Sequence, residues 1–122
     1  MSGPRRVLLV DDNLDSSDSL RELLQLSGHQ VRTAADGPAA LAVANEMQPE
    51  VVLCDLGLPG MNGYEVAQRL RASPLGGTVF LAALTGYGQP SDRQRSAAAG
   101  FDAHLVKPVD PFDIERLIEG LP

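Results

Sequence analysis

The sequence predicts an α/β fold, in which a doubly wound sheet of five parallel strands carries helices on both faces. Short apolar runs alternate with longer amphipathic stretches along the chain, which gives the element order βαβαβαβαβα. The runs at residues 7–10, 51–54 and 79–84 are apolar throughout, a pattern typical of strands that are buried on both faces of a parallel sheet. Right-handed crossovers between such strands produce the doubly wound arrangement.

The other two predicted strands have the features of sheet edges. Residues 30–34 alternate polar and apolar side chains, and residues 103–106 form only a short run. Strands two and five at the edges fit the strand order 2-1-3-4-5, in which strands one and three are neighbours.

The first predicted helix takes Asp15 or Ser16 as its N-cap and ends at Gly28, because these residue types favour helix starts and stops. Its buried face is expected to carry leucines: Leu20, Leu23 and Leu24.

Glycine, proline and aspartate mark the remaining helices. The second helix begins near Pro38, and the third follows Gly63. The fourth is predicted at residues 91–99, where only alanines are available for burial, so we expect it to be among the least stable elements. The fifth begins at Pro111 with Asp110 as its N-cap.

The composition fits one globular domain, predicted to span residues 1–122. The formal net charge is −6, which argues against a nucleic-acid-binding face because phosphate contacts need clustered lysine and arginine. The single cysteine excludes an internal disulfide. The sequence contains no apolar run long enough for a transmembrane helix and no signal peptide. These features predict a cytoplasmic protein without a membrane partner.

Polar residues follow four of the predicted strands at their carboxyl ends, where open parallel sheets bind ligands. Asp11 and Asp12 end the first strand, Asp55 the third, Thr85 the fourth and Lys107 the fifth. Each of these residues alone has an ordinary explanation, such as a turn aspartate, a β-branched strand residue or a solvated lysine. Together they predict a cluster of carboxylates, whose mutual repulsion a divalent cation relieves. Hard oxygen ligands favour Mg²⁺.

The sequence resembles the receiver domains of two-component response regulators over essentially its whole length. The resemblance is carried by "VLLVDDN" at 7–13, "VVLCDLGLPGMNGYE" at 51–65, "LTG" at 84–86 and "LVKPVD" at 105–110. The resemblance implies the flavodoxin-like strand order. The sequence is similar both to chemotaxis regulators and to the receivers of hybrid histidine kinases.

The resemblance also implies a role for each site residue. Asp55 is the expected phosphoacceptor. The side chains of Asp12 and Asp55, with the Gly57 carbonyl, are expected to hold Mg²⁺, and Asp11 to assist through water. Thr85 is expected to hydrogen-bond the attached phosphoryl group.

Lys107 is expected to pair with a phosphoryl oxygen, and the Lys107–Pro108 bond is expected to be cis. The sequence departs from the family at His104, where a receiver usually has tyrosine or phenylalanine. His104 is therefore a candidate switch residue that differs from the usual aromatic one.

The resemblance implies a signalling switch rather than a separate turnover enzyme. Its partners would be a histidine kinase or histidine phosphotransfer domain, which donates the phosphoryl group, and an effector or attached domain. The face formed by the fourth helix, the fifth strand and the fifth helix is expected to change on phosphorylation. We expect the chain to be either a free-standing receiver or a piece of a longer protein, such as the receiver of a hybrid histidine kinase.

Two other classes of protein fit the sequence less well. A haloacid-dehalogenase-type phosphatase also uses an aspartate nucleophile and Mg²⁺, but it requires Asp-x-Asp and a cap domain. A flavin or dinucleotide module requires a phosphate-binding loop rich in glycine or hydroxyl groups after the first strand. The corresponding segment here, "DDNLDSS", is acidic.

Overall fold

The structure, a computed structural model, describes residues 4–58, 60–86, 93–107 and 109–121, apart from the side chains of Leu14 and Arg93. Within these residues, strands and helices alternate strictly. Their bounds are β1 (Arg6–Val10), α1 (Leu14–Leu26), β2 (Gln30–Ala34), α2 (Gly37–Met47), β3 (Val51–Asp55), α3 (Gly63–Ala72), β4 (Phe80–Thr85), α4 (Arg93–Ala99), β5 (Ala103–Val106) and α5 (Pro111–Glu119).

The strands form one parallel sheet in the order β2-β1-β3-β4-β5 among the described residues. This confirms the predicted fold class and strand order. One apolar cluster packs α2, α3 and the end of α4 against one face of the sheet, and a second packs α1 and α5 against the other. The central strands are buried on both sides, as their unbroken apolar runs predict.

The two polar residues that follow the central apolar runs belong to the strands themselves. Asp55 is the last residue of β3 and pairs with Leu84 in the register of the sheet. Thr85 is the last residue of β4 and pairs with Val106 of β5. Their backbones are therefore fixed by strand pairing rather than by loops, which limits how far their side chains can move.

The predicted start of α1 is wrong. The helix begins at Leu14, and Asn13, rather than Asp15 or Ser16, is its N-cap. The Asn13 side chain accepts a hydrogen bond from the Ser16 amide at 3.1 Å, which satisfies one of the free amides of the first turn. Asp15 instead lies in that first turn.

The predicted buried face of α1 is also partly wrong. Leu24 is buried and Leu20 half-buried, but Leu23 is 45% exposed. The buried stripe instead includes Ser17, which lies seven residues before Leu24 and therefore on nearly the same side of the helix. Leu23 is rotated away from this stripe, towards solvent.

The described part of α4 runs from Arg93 to Ala99, so the predicted residues 91 and 92 lie outside the described ranges. The expectation that α4 buries only alanine is wrong, because Ser96 is buried together with Ala99. The predicted caps of α5 are correct, with Asp110 as N-cap and Pro111 in the first turn. Across the described ranges we find no helix of the length and apolarity needed to cross a membrane.

Candidate functional site

Carboxylates from two neighbouring strands meet at the carboxyl edge of the sheet. Asp11 and Asp12 follow β1, Asp55 ends β3, and β1 pairs directly with β3. Each of the three offers an oxygen, and these oxygens all lie within 4.8 Å of one another. Asp11 and Asp55 are buried, whereas Asp12 is exposed. The predicted cluster of acids is therefore present.

Lys107 lies directly between the two buried carboxylates. Its Nζ donates to Asp11 Oδ2 and to Asp55 Oδ2, at 2.9 Å in each case. Burial lowers the pKa of Lys107, but the hydrogen bonds that it donates to Asp11 and Asp55, together with their negative charges, outweigh burial and raise the pKa above the ordinary lysine value. The Lys107 amide donates to the Thr85 carbonyl at 2.7 Å, which fixes the backbone from which the ammonium reaches the site.

The second oxygen of each buried carboxylate is held by a backbone amide. Asp55 Oδ1 accepts from the Gly57 amide at 2.9 Å, and Asp11 Oδ1 accepts from the Asn13 amide at 2.9 Å. Each carboxylate is thus oriented by one backbone bond and one bond from Lys107. Such fixed charges need little reorganisation when a charged group binds.

Gly63 has a positioning role that the sequence analysis missed. A Cβ at Gly63 would lie 2.6 Å from the Asp55 carbonyl oxygen and 2.8 Å from the Leu56 Cα. Only glycine therefore allows the start of α3 to lie against the end of β3. Its position directly after the N-cap Asn62 was the available signal, in the segment "MNG".

Thr85 and His104 lie on the adjacent strands β4 and β5. Thr85 is buried, and its hydroxyl donates to the Leu105 carbonyl at 3.4 Å, so it is directed towards β5. His104 is half-buried and pairs in register with Ala83. Because strand residues alternate between faces and Leu105 packs on the α1 and α5 side, His104 faces the other side of the sheet.

Cys54 is a second potential nucleophile next to Asp55. Burial, followed by the charges of Asp55 and Asp11, raises the pKa of the Cys54 thiol to about 12. The thiolate is the reactive form of cysteine, so this thiol is unreactive near neutral pH. The Asp55 carboxylate therefore has no competing nucleophile at position 54.

The donor set fits a hard divalent cation such as Mg²⁺. Carboxylate oxygens are its preferred protein ligands, and Asp11, Asp12 and Asp55 provide them within a small volume. The Gly57 residue is exposed beside Asp55, which agrees with a further ligand from its carbonyl. The expected cis bond before Pro108 concerns a residue that lies outside the described ranges.

Residues 7–119 match the response regulator receiver domain family. The chain belongs to this family. Receiver domains are the phosphoacceptor signalling domains of two-component systems, and they bind Mg²⁺ at their acidic site. The five strand-end residues singled out from the sequence all lie within the matched range.

Similar proteins include both regulators and kinases. The transcriptional regulatory protein PrrA of Mycobacterium tuberculosis is 40% identical over 116 residues, which cover 95% of this chain and 49% of PrrA. The chain thus spans about half the length of that relative. The structure of the chemotaxis response regulator CheY4 of Vibrio cholerae superposes with a TM-score of 0.86 and 31% identity, covering 96% of this chain and 98% of CheY4.

A receiver domain of a sensor histidine kinase is similar in structure to nearly the same degree. That domain, from Pseudomonas aeruginosa, has a TM-score of 0.84 and 29% identity, and 96% of each chain is covered. Its structure contains a magnesium ion coordinated in the active site cleft. A chemotaxis response regulator and a receiver domain of a sensor histidine kinase therefore share this fold.

Proposed function

We propose that this chain is a phosphoacceptor switch in which Asp55 receives a phosphoryl group from the phosphohistidine of a histidine kinase or phosphotransfer domain. The observation that carries the proposal is the placement of the Lys107 ammonium 2.9 Å from oxygens of both Asp11 and Asp55. A carboxylate attacks an anionic phosphoryl group only when nearby cations screen the charge. Asp55 has such a cation in contact.

The reaction is an in-line exchange of one bond for another. An oxygen of Asp55 forms a bond to phosphorus, while the phosphorus–nitrogen bond of the donor histidine breaks and its electron pair stays on the imidazole. Lys107 is placed to move from Asp55 to an equatorial phosphoryl oxygen as negative charge shifts outward. The product is an acyl phosphate, which water can hydrolyse.

The same residues are suited to hold Mg²⁺. Asp12, Asp55 and the Gly57 carbonyl are its proposed ligands, and Asp11 assists through water. When bound, Mg²⁺ supplies positive charge that neutralises the phosphoryl oxygens and the carboxylates. The magnesium ion in the receiver of the Pseudomonas aeruginosa kinase supports this assignment.

Thr85 and His104 are the proposed switch residues. The Thr85 hydroxyl, which donates to the Leu105 carbonyl at 3.4 Å, would exchange this long bond for one to the phosphoryl group. This rotation releases a carbonyl of β5 directly beside His104. The proposed result is a rearrangement of the α4, β5 and α5 face, which a partner or an attached domain detects.

We further propose that residues 1–122 form a single receiver domain that does not act as a separate turnover enzyme. The absence of nucleic-acid binding by this domain and the cytoplasmic location stay predictions from the sequence. The sequence similarity is compatible both with a free-standing regulator and with a receiver attached to a kinase.

The decisive experiment measures the mass of the protein after incubation with acetyl phosphate and Mg²⁺. Wild type should gain one phosphoryl group, which hydroxylamine removes because an acyl phosphate is an activated carboxyl. Asp55→Asn should gain none. Asp110→Asn is the matched control, because asparagine also serves as an N-cap, and it should be labelled like wild type.

Three outcomes contradict the proposal. Equal labelling of Asp55→Asn and wild type would place the phosphoryl group elsewhere. Sustained turnover of a phosphatase substrate would favour a phosphatase, and a yellow purified protein would favour a flavin module.

A further inference from the structure

Arg71, on α3, binds two loops at the end of the sheet opposite the acidic site. Its Nη1 donates to the carbonyls of Gly76 and Val79, at 2.8 Å each. Its Nε and Nη2 both donate to the Gly100 carbonyl, at 2.9 and 2.6 Å, and Nη2 also donates to Asp102 Oδ2 at 2.7 Å. One guanidinium therefore connects the α3–β4 loop with the α4–β5 loop.

The α4–β5 loop is shaped to fit this guanidinium. Gly100 has a φ of +111° and ends α4, and a Cβ there would lie 2.6 Å from Arg71 Cγ. The Phe101 amide donates to the Ser96 carbonyl and the Gly100 amide to the Ala97 carbonyl, each at 3.0 Å, which is the Schellman ending of a helix. Arg71 places its positive charge at this carboxyl terminus, where the helix dipole favours a cation.

Asp102 links Arg71 to the pairing of β5 with β4. The Asp102 amide donates to the Leu81 carbonyl at 2.7 Å, and the Leu81 amide donates back to Asp102 Oδ2 at 2.9 Å. The carboxylate oxygen that binds Arg71 is thus also the acceptor for a β4 amide. These two hydrogen bonds between Asp102 and Leu81 set the pairing of Ala82 with Ala103, the next residue pair of β4 and β5.

β5 depends on such an anchor more than the other strands do. It is an edge strand of four residues, Ala103–Val106, none of which is fully buried. Burial fixes the register of such a strand only weakly. The residue after β5 is Lys107. The hydrogen bond from its backbone amide to the Thr85 carbonyl belongs to the same pairing of β5 with β4. A shift at the start of β5 therefore moves Lys107 at its end.

We infer that Arg71 is a positioning residue, which holds the start of β5 in register with β4 so that the Lys107 ammonium lies between Asp11 and Asp55. Asp102 and Lys107 are five residues apart, or roughly 17 Å along an extended strand. Arg71 thus acts through the strand, without touching the site. The consequence for phosphoryl transfer rests on the proposed function, whereas the effect on Lys107 does not.

The chain offers a direct measurement, because Lys107 is its only lysine. Selective ¹⁵N-lysine labelling gives a single backbone amide signal in an NMR spectrum. This signal reports the hydrogen bond from the Lys107 amide to the Thr85 carbonyl. Arg71→Met should shift this signal and raise the exchange rate of the amide at least tenfold in the metal-free protein. Arg69→Met is the matched control, since Arg69 is an exposed arginine on the same helix, and it should leave the signal unchanged.

A second measurement separates positioning from a general loss of stability. Under conditions in which each variant is fully folded, Arg71→Met should weaken the binding of beryllofluoride, a phosphoryl analogue, by about tenfold, because a slight misplacement of a charged group already costs this much. The affinity for Mg²⁺ alone should be unchanged or higher, since Lys107 competes with a cation for Asp11 and Asp55. General destabilisation would weaken both.

Asp102→Asn provides a milder variant that decides the matter if Arg71→Met does not fold. Asparagine still accepts from the Leu81 amide but loses the charge that pairs with Arg71, so the Lys107 amide should change in the same direction, to a smaller extent. In the double variant, Asp102→Asn should add little to Arg71→Met. The inference would be overturned if folded Arg71→Met had the same Lys107 amide signal and exchange rate as wild type. If Arg71→Met does not fold, the same result in Asp102→Asn would overturn it. If the Lys107 amide changed in the variants but wild type did not bind beryllofluoride, only the proposed function would be overturned.

Discussion

The Nζ atom of Lys107 lies 2.9 Å from Asp55 Oδ2, so the proposed nucleophile is paired with a cation from the protein itself. The same ammonium is 2.9 Å from Asp11 Oδ2, on the neighbouring strand. It thereby neutralises part of a cluster that would otherwise repel itself. Lys107 and a divalent cation are consequently alternative partners for the same carboxylates.

Replacing Lys107 with methionine should therefore make the protein more dependent on Mg²⁺. In metal-free buffer we expect Lys107→Met to lower the free energy of unfolding by about 1–3 kcal/mol, the usual cost of leaving a buried polar group without its partner. Saturating Mg²⁺ should restore more stability to the variant than it adds to wild type. Urea unfolding with and without Mg²⁺ measures both quantities. If Mg²⁺ stabilised the variant and wild type equally, Lys107 and Mg²⁺ would not compete for the same carboxylates.

The pH dependence of this contribution follows from the raised pKa of Lys107. A group whose pKa is higher in the folded state stabilises that state fully below its unfolded pKa, which is near 10.5. The contribution is lost as the pH rises through the higher folded value. The difference between wild type and Lys107→Met should accordingly be constant near neutral pH and shrink only above about pH 10.5.

Asp12→Asn should separate stability from metal binding. Asp12 is exposed but lies within the acidic cluster, so removing its charge should raise the metal-free stability by about 0.5–1 kcal/mol, as often occurs when functional charges are removed. Mg²⁺ affinity should fall by at least about tenfold, because a charged ligand is lost. Thermal unfolding and a Mg²⁺ titration test the two effects.

Asp15→Asn is the control for Asp12→Asn. Asp15 lies in the first turn of α1, where a negative charge stabilises the helix dipole. Its replacement should leave Mg²⁺ affinity unchanged and lower stability slightly, opposite in sign to Asp12→Asn. Equal stability changes in the two variants would show that like-charge repulsion at the site is negligible.

The residues of the site could be predicted from the sequence because each one interrupts a regular pattern. Asp11, Asp55 and Thr85 come directly after runs of apolar residues, and the carboxyl ends of parallel strands meet at one edge. The same reasoning located Lys107 at the end of a short strand. It did not show that one ammonium contacts two carboxylates, because side-chain pairing across strands leaves no pattern in the sequence.

The parts that could not be predicted depend on backbone groups and competing caps. Arg71 binds the carbonyls of Gly76, Val79 and Gly100, and every residue carries a carbonyl, so the sequence contains no signal for these partners. Asn13 is the N-cap of α1 although aspartate and serine follow it. Several residue types cap helices equally well, and only the path of the chain after β1 decides among them.

Glu50 should contribute to stability in a pH-dependent way at the amino end of the sheet. It is bonded to Arg5 Nη1 at 2.9 Å and lies 3.5 Å from Arg6 Nη1. Burial raises the pKa of Glu50, but hydrogen bonds from Arg5 and Arg6 outweigh it and lower the pKa below 4.5. A lowered pKa means stability that is present above about pH 4.5 and is lost as the pH falls.

Glu50→Gln should thus destabilise the protein at pH 7 by about 0.5–1 kcal/mol, in the range of partly exposed ion pairs. The difference from wild type should shrink as the pH falls below 4.5. Glu46→Gln is the matched control, because the Arg32–Glu46 pair is exposed at both side chains and should contribute almost nothing. Urea unfolding across this pH range measures both, and a difference that persists in acid would contradict the electrostatic origin.

A further prediction concerns the coupling of Thr85 to His104. Since the Thr85 hydroxyl donates to the Leu105 carbonyl, next to His104, beryllofluoride with Mg²⁺ should shift the ring signals of His104 in wild type. Thr85→Val retains the shape of the side chain but has no hydroxyl, so it should bind beryllofluoride with little change at His104. An identical shift in both proteins would show that His104 responds by another route.

The second histidine, His29, contacts an element of the proposed switch face and is not an inert reference. His29 precedes β2, and its Nδ1 accepts from the Arg5 amide at 3.0 Å. Its Nε2 lies 3.3 Å from Glu115 on α5, an element of the proposed switch face. His29→Gln should therefore be used to assign the two histidines. In wild type, a shift at His29 that follows the shift at His104 would indicate that the movement extends along α5, whereas a shift at His104 alone would confine it to β5.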